Sequence, residues 1–251
     1  MGLHPGLDPA QRFSSRVEAY ARYRPSYPRE TLGLLERECG LTATSMIADI
    51  GSGTGLLARL FLAFGCEVTG VEPNPGMRAA GERMLSGEPR FHSVDGRAEA
   101  TTLPDGSVDF VTAGQAFHWF EPAAARAEFQ RILQPAGWVV LIWNERLVTP
   151  GFMAEHEDLL NKFAREKSHP ADADFNAFYG HANWRSERIP NRQSLDEEGL
   201  RGRIESSSWS PLPGADGYEA MMQEMSRLFR KYEKAGGVTI EYETNIWWGM
   251  L

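Results

Sequence analysis

An α/β fold with a doubly wound, mostly parallel sheet of seven strands is predicted by three observations. Short apolar strands alternate with amphipathic helices from about residue 46 to residue 143, a spacing that calls for right-handed crossovers and a parallel sheet. The run Ile47-Ala48-Asp49-Ile50-Gly51-Ser52-Gly53-Thr54-Gly55-Leu56-Leu57 joins the first strand to its helix through three glycines at alternate positions. Beyond residue 150 the rhythm slackens into long helical stretches and two further strands.

The first strand covers about 46–50 and its helix about 55–64. Glu67 to Val71 reads as the second strand. Asn74 to Leu85 is a helix, with Asn74 placed to accept the free N–H groups of its first turn and Pro75 inside that turn. Arg90 to Val94 is a short third strand. Asp105-Gly106 makes the turn before a fourth strand, Ser107 to Ala113, which is almost continuously apolar after Asp109, as a strand covered on both faces must be. Pro122 to Leu133 is amphipathic and helical, and Gly137 to Trp143 is the fifth strand. Phe152 to Lys167 is predicted helical, followed by an irregular stretch around His169-Pro170. A sixth strand falls within about 184–194, a second long helix runs from Tyr218 to Lys234 and stops at Ala235-Gly236-Gly237, and Val238 to Trp248 is the last strand.

Composition narrows the function. With 251 residues and 42% hydrophobic content, the chain can bury one sizeable α/β core. The longest apolar run, Trp138 to Trp143, is far short of the ~20 residues of a membrane span. The first residues have neither the basic start nor the apolar core of an export signal, so a cytoplasmic protein without membrane partners is expected. Cys39 and Cys66 fit two buried free thiols rather than a disulfide framework. A net charge of −8 argues against nucleic acid as partner. Arg185, Arg188, Arg192, Arg201 and Arg203 are interleaved with Glu187, Asp196, Glu197 and Glu198, which reads as a solvated face. His156, His169, His181, Asp172 and Asp174 are too scattered for metal-ligand spacing, so no metal is expected.

The glycine run carries the chemistry. Glycines at alternate positions let the backbone turn tightly and bring a ligand close to the main chain, at the positive end of the following helix. A dinucleotide site is marked by G-x-G-x-x-G, but here Leu56 stands where the third glycine belongs. Asp49 also lies two positions before Gly51, where a carboxylate repels phosphate but receives an ammonium. The acidic-x-G-x-G-x-G motif resembles that of class I S-adenosylmethionine-dependent methyltransferases, whose cofactor carries an ammonium and a sulfonium and no phosphate.

Further segments extend the likeness. Glu72-Pro73 follows the second strand, Asp95 to Glu99 and Leu103-Pro104 to Asp109 follow the third, and Leu133 to Gly137 is similar to the family's L-K-P-G-G turn, with Ala136 in place of a glycine. The Tyr- and Arg-rich segment Phe13 to Pro28, the hexapeptide Gln115-Ala116-Phe117-His118-Trp119-Phe120 and the ending near Tyr242-Glu243-Thr244 resemble the group that includes trans-aconitate methyltransferases. The resemblance implies a single domain with an N-terminal lid over 1–30, a cofactor-binding core over 31–150, and a helical substrate-side insertion with an antiparallel last strand over 151–251. It implies S-adenosylmethionine as cofactor, contacted by Tyr20, Arg24, Asp49, Gly51, Gly53, Glu72, Pro73, Met77, Asp95, Ala98, Glu99, Gln115 and Ala116.

Methyl transfer needs the acceptor held in line with the activated methyl and water kept out; it needs no covalent residue. The acceptor is expected to be a small molecule, a carboxylate or hydroxyl among the options, facing Tyr23, Phe117, His118, Trp119, Trp143, Asn144 and Arg146. His118 is the candidate catalytic base for an acceptor that must lose a proton, and otherwise shapes the pocket. Arg146 suits an anionic group. Two other functions stay open at this point, an NAD(P)-dependent oxidoreductase and a non-catalytic S-adenosylmethionine-binding module, as does the choice between monomer and homodimer.

Overall fold

A computed structural model of the chain describes residues 16–163, 175–180, 183–207 and 209–251. Seven strands form one sheet: β1 (Met46–Ile50), β2 (Glu67–Val71), β3 (Phe91–Val94), β4 (Val108–Gly114), β5 (Leu133–Arg146), β6 (Trp184–Leu195) and β7 (Val238–Gly249). Their order is β3-β2-β1-β4-β5-β7-β6. The first five are parallel, and β7 runs antiparallel between β5 and β6. The helices are α1 (Val17–Tyr23), α2 (Glu30–Cys39), α3 (Leu56–Phe64), α4 (Pro75–Met84), α5 (Pro122–Ile132), α6 (Phe152–Phe163), α7 (Phe175–Tyr179), α8 (Glu197–Glu205) and α9 (Tyr218–Tyr232).

Most of the expected elements stand within a residue or two of where periodicity places them. Asn74 caps α4 by accepting from the N–H groups of Gly76 and Met77, at 2.9 and 3.0 Å, and Pro75 opens the helix. The fifth strand differs: it begins at Leu133 rather than Gly137. Val108 pairs with Leu133 and Phe110 with Trp138, so three extra residues loop out between them. Ala136 takes φ +64 there, the left-handed conformation that explains why a related sequence places glycine at this point. The helix predicted to reach Lys167 is described as far as Phe163; residues 164–167, His169, Pro170, Asp172, Asp174 and His181 lie outside the described residues.

Apolar side chains on the two faces of the sheet make two cores. Leu35, Phe61, Ile47 and Val140 belong to one, and Val111, Phe129, Leu141 and Phe178 to the other. A third apolar cluster joins α6, α8 and α9 to β7 through Leu160, Leu200, Met221, Met225, Phe229 and Ile240. Cys39 and Cys66 are buried and free, and burial pushes their thiols up to about 12 and about 11.

The segment α1 lies across α8 and is tied down through main-chain carbonyls. The Arg16 guanidinium donates to the carbonyls of Glu205 and Ser207 at 2.7 Å and of Ser210 at 2.5 Å. Gln193 donates to the Tyr23 carbonyl at 2.9 Å, and Asn144 and Asn191 both donate to that of Ser26, at 3.2 and 2.8 Å. The Tyr23 ring occupies the space where a Cβ on Gly202 would stand. Gly202→Ala is therefore expected to lift Tyr23, at a packing cost of about 1–3 kcal/mol, and to speed proteolysis within residues 16–30 roughly tenfold while the urea midpoint of the core barely moves. Unchanged cleavage contradicts this docking.

Candidate functional site

Strand order reverses between β1 and β4, and ligands of doubly wound sheets bind in the crevice this opens beyond the strands' carboxyl ends. Asp49 stands at that point, 1% exposed. One carboxylate oxygen accepts from the Thr112 hydroxyl of β4 at 3.1 Å, and the other has no partner among the described residues. Burial pushes the carboxyl up to about 7; the Thr112 bond and the backbone N–H of Ala58 oppose this, and the Glu72 charge adds to it.

Immediately beyond, the N–H groups of Gly51 and Ser52 both donate to the Val71 carbonyl, at 2.8 and 3.2 Å, bending the chain sharply. Gly51 takes φ +66, and a Cβ there would stand 2.7 Å from that of Ala116, so only glycine lets the loops after β1 and β4 approach this closely. Glu72, 8% exposed, receives the Gly53 N–H at 2.9 Å on one oxygen and the Asn74 N–H at 2.8 Å on the other. Burial raises its carboxyl, against those two bonds and the Arg78 charge. Each oxygen keeps a further lone pair for a hydroxyl donor. Met77 is buried with its methyl against Gly53, and Pro73 leads from Glu72 into the α4 cap.

The remaining predicted cofactor residues have differing engagements. Asp95 is bridged to Arg78 at 3.1 Å, Ala98 is packed into the core, and Glu99 accepts the Glu121 N–H at 2.8 Å. Gln115 takes φ +57 at the end of β4, an uncommon conformation for a non-glycine residue. It is held there by donating its N–H to the Ile142 carbonyl at 3.0 Å and by accepting the Asn144 N–H at 2.7 Å.

The hexapeptide divides. Phe117 turns inward, with its ring centroid 4.7 Å from that of Phe178 and 6.1 Å from that of Phe175. His118 is exposed and sits between Trp119, at 4.5 Å, and Trp143, at 5.0 Å between centroids. Among the predicted substrate residues, then, His118, Trp119 and Trp143 come together as an aromatic cluster. Asn144 is buried, its amide donating to Ser26 and its oxygen accepting from Thr244 and Asn191. Tyr23 donates to Glu198 at 2.9 Å, and Arg146 bonds Glu157.

At the end of α1, the Arg24 guanidinium lies 4.6 Å over the Tyr20 ring and donates to the Ser206 carbonyl at 2.9 Å. Tyr27 is buried against Gly114, and its phenol, held well above its usual range by burial, senses both Asp49 and Arg24. The solvated face is corrected at one residue: Arg185, Arg188 and Arg192 are exposed, but Arg203 is 5% exposed because α8 turns it toward β7. Thr112, Tyr27, Arg203 and His156 were not singled out as site residues by any motif. Only the alternation of β4 hints at Thr112, a polar residue within an apolar strand. Among the described residues no group of three or more His, Cys, Asp or Glu side chains could hold a metal ion.

Residues 48–141, from β1 to β5, match the family model described as a methyltransferase domain. The chain is 36% identical over 155 residues to an uncharacterized methyltransferase of Mycobacterium bovis, covering 62% of this chain and 61% of that protein. A relative in Schizosaccharomyces pombe is 33% identical over 154 residues, covering 60% and 59%. The chain thus spans about three fifths of the length of these relatives. In three dimensions it is similar to a protein from Anaeromyxobacter dehalogenans provisionally described as a type II methyltransferase, with a TM-score of 0.70 at 19% identity, covering 91% of this chain and 98% of that one. It also matches a Haemonchus contortus phosphoethanolamine N-methyltransferase solved with S-adenosylhomocysteine, with a TM-score of 0.54 at 17% identity, covering 94% and 57%. At these identities the structures share the fold.

The buried carboxyl makes a pH prediction. A carboxyl that titrates near 7 when folded, against 3.8 ordinarily, takes up a proton on folding, so its contribution to stability is present at low pH and lost as pH rises from about 4 through 7. Asp49→Asn removes that loss. Urea unfolding is expected to show the variant gaining on the wild type, by on the order of 3 kcal/mol, between about pH 4 and pH 7.5. A gap independent of pH contradicts the raised carboxyl.

Proposed function

We propose that this chain, which carries a methyltransferase domain over residues 48–141, transfers a methyl group from S-adenosylmethionine to a small-molecule acceptor. The observation that carries this reading is the unpartnered oxygen of Asp49, buried beside the glycine loop. An unpaired buried carboxylate is costly, and the ammonium of the cofactor is the partner that relieves it. The same group disfavours a nicotinamide dinucleotide, because its carboxylate would face the pyrophosphate.

The residues present fit this cofactor. Asp49 holds the ammonium, and Glu72 uses its free lone pairs for the ribose hydroxyls. Gly51 and Gly53 admit the ligand to the main chain, Met77 and Ala98 offer apolar contact to the adenine, and Asp95 or Glu99 offers it a polar neighbour. When bound, S-adenosylmethionine supplies a methyl already activated by the adjoining sulfonium. The chain's part is then to hold the acceptor in line and exclude water. Tyr20 and Arg24 close one side as the lid, and His118, Trp119 and Trp143 present aromatic faces on the other, suited to a cation or a planar group. His118 takes the proton from a hydroxyl acceptor; for a carboxylate acceptor it has no proton to take. Among the described residues no helix is long and apolar enough to cross a membrane, which accords with a cytoplasmic setting.

Calorimetric titration with S-adenosylhomocysteine tests the reading. Binding is expected to strengthen as pH rises from about 5.5 to 7.5, while Asp49 ionises. Asp49→Ala and Glu72→Ala should each weaken it roughly tenfold or more. Binding of NADH in place of S-adenosylhomocysteine, or wild-type affinity in both variants, defeats it.

A further inference from the structure

Three buried or half-buried arginines converge beneath the lid, and one carboxylate is bonded to them among the described residues. Arg24 comes from the end of α1, Arg146 from the end of β5 and Arg203 from α8. Ser206 links two of them: its carbonyl accepts from Arg24 at 2.9 Å, and its hydroxyl accepts from Arg203 at 3.4 Å. Arg203 also donates to the Ser207 hydroxyl at 3.1 Å and the Tyr242 phenol at 3.0 Å. Tyr242 pairs with Arg146 in the β5–β7 register. Arg146 in turn reaches one Glu157 oxygen with two of its nitrogens, at 3.1 and 3.3 Å.

Among the described residues the hydrogen-bond partners of Arg24 and Arg203 are all neutral, and of the three guanidiniums only that of Arg146 is bonded to a carboxylate. At this cluster two buried groups are left without hydrogen-bond partners among the described residues. One is the Arg24 Nε; the other is the whole His156 ring, 2% exposed, whose backbone neighbour is Glu157. Mutual repulsion shows in each group. Burial, then Arg203, lowers Arg24 to about 10; burial, then Arg203, lowers Arg146; and burial, then Arg146 and Arg203, lowers His156 to about 3. An uncompensated cationic cluster in a desolvated place is expensive unless an anion joins it. Guanidinium forks match a carboxylate with two parallel bonds each. Tyr27, three residues after Arg24, packs against Gly114 at the end of β4, which brings this segment to the strand that pairs with β1.

We propose that Arg146 and Arg203, with Arg24 at their border, form an anion subsite that holds a carboxylate of the methyl acceptor, an assignment that rests on the methyl-transfer reading. His156 forms its inner wall. The cofactor's own carboxylate has the same chemistry, and the arms of the test separate the two sources.

Succinate and benzoate, with succinamide and benzamide as neutral counterparts, are titrated by calorimetry into the protein with and without saturating S-adenosylhomocysteine. The carboxylates are expected to bind and the amides to bind at least roughly tenfold more weakly. Arg146→Gln and Arg203→Gln, each checked for an intact melting transition, should lower carboxylate affinity roughly tenfold or more while S-adenosylhomocysteine affinity shifts less than about threefold. Arg146→Lys, which keeps the charge, should retain most carboxylate binding. Four results overturn the proposal: no carboxylate binding at millimolar concentration, amides binding as well as carboxylates, carboxylate binding that survives both Gln variants, or an equal loss of S-adenosylhomocysteine, which assigns the cluster to the cofactor. If S-adenosylhomocysteine fails to bind the wild type while carboxylates bind through these arginines, the methyl-transfer reading falls and the anion subsite stands.

Discussion

A carboxylate sealed between two strands at the place where their loops part company constrains everything around it. Asp49 gives one oxygen to Thr112 across the β1–β4 junction and keeps the other unpaired, with water excluded. That arrangement persists only because neighbouring interactions hold it. The loop after β1 is pinned to the Val71 carbonyl, the loop after β4 is fixed by the left-handed Gln115, and Gly51 meets Ala116 with no room for a side chain between them. The cost of the buried group is met by the rest of the sheet.

The N-terminal segment around α1 is organised by a different set of bonds. Its main-chain carbonyls receive three side-chain donors from two strands: Gln193 and Asn191 on β6, and Asn144 on β5. Its own arginines, Arg16 and Arg24, donate back to the carbonyls at the end of α8. The segment is thus held from both sides, through its backbone acceptors and through its own Arg16 and Arg24 guanidiniums. The same crossing of α1 over α8 brings Arg24 toward Arg203 and so concentrates positive charge beside the crevice.

Much of the fold was legible because its signals are local. Alternating apolar strands, the Asn74-Pro75 cap and the glycine run each state their geometry within a few residues. The strand order and the antiparallel β7 came from likeness rather than periodicity, since pairing between distant segments leaves no local trace. At the crevice, Asp49 near the end of β1, and Glu72 and the hexapeptide just past β2 and β4, stand where their positions along the strands predict. Phe117 and Asn144 show the limit: both lie in the right loop, yet one ring is drawn into the core by Phe178 and the other amide is spent bracing Ser26. Arg203 shows the converse. Its neighbours in sequence are solvated ion-pair formers, and only the packing of α8 against β7 turns it inward to Tyr242. Side-chain direction on an isolated helix is set by tertiary contacts, which no spacing rule contains.

The central claim is that Asp49 is a buried, half-satisfied acid awaiting a cation. Its most direct test is a carbon-detected NMR titration of the Asp49 carboxyl, in the free protein and in the S-adenosylhomocysteine complex. The account predicts a midpoint of about 7 in the free protein, falling into or below the ordinary carboxylate range when the ligand's ammonium is in place. A free-state midpoint near 4 that the ligand does not move would contradict it.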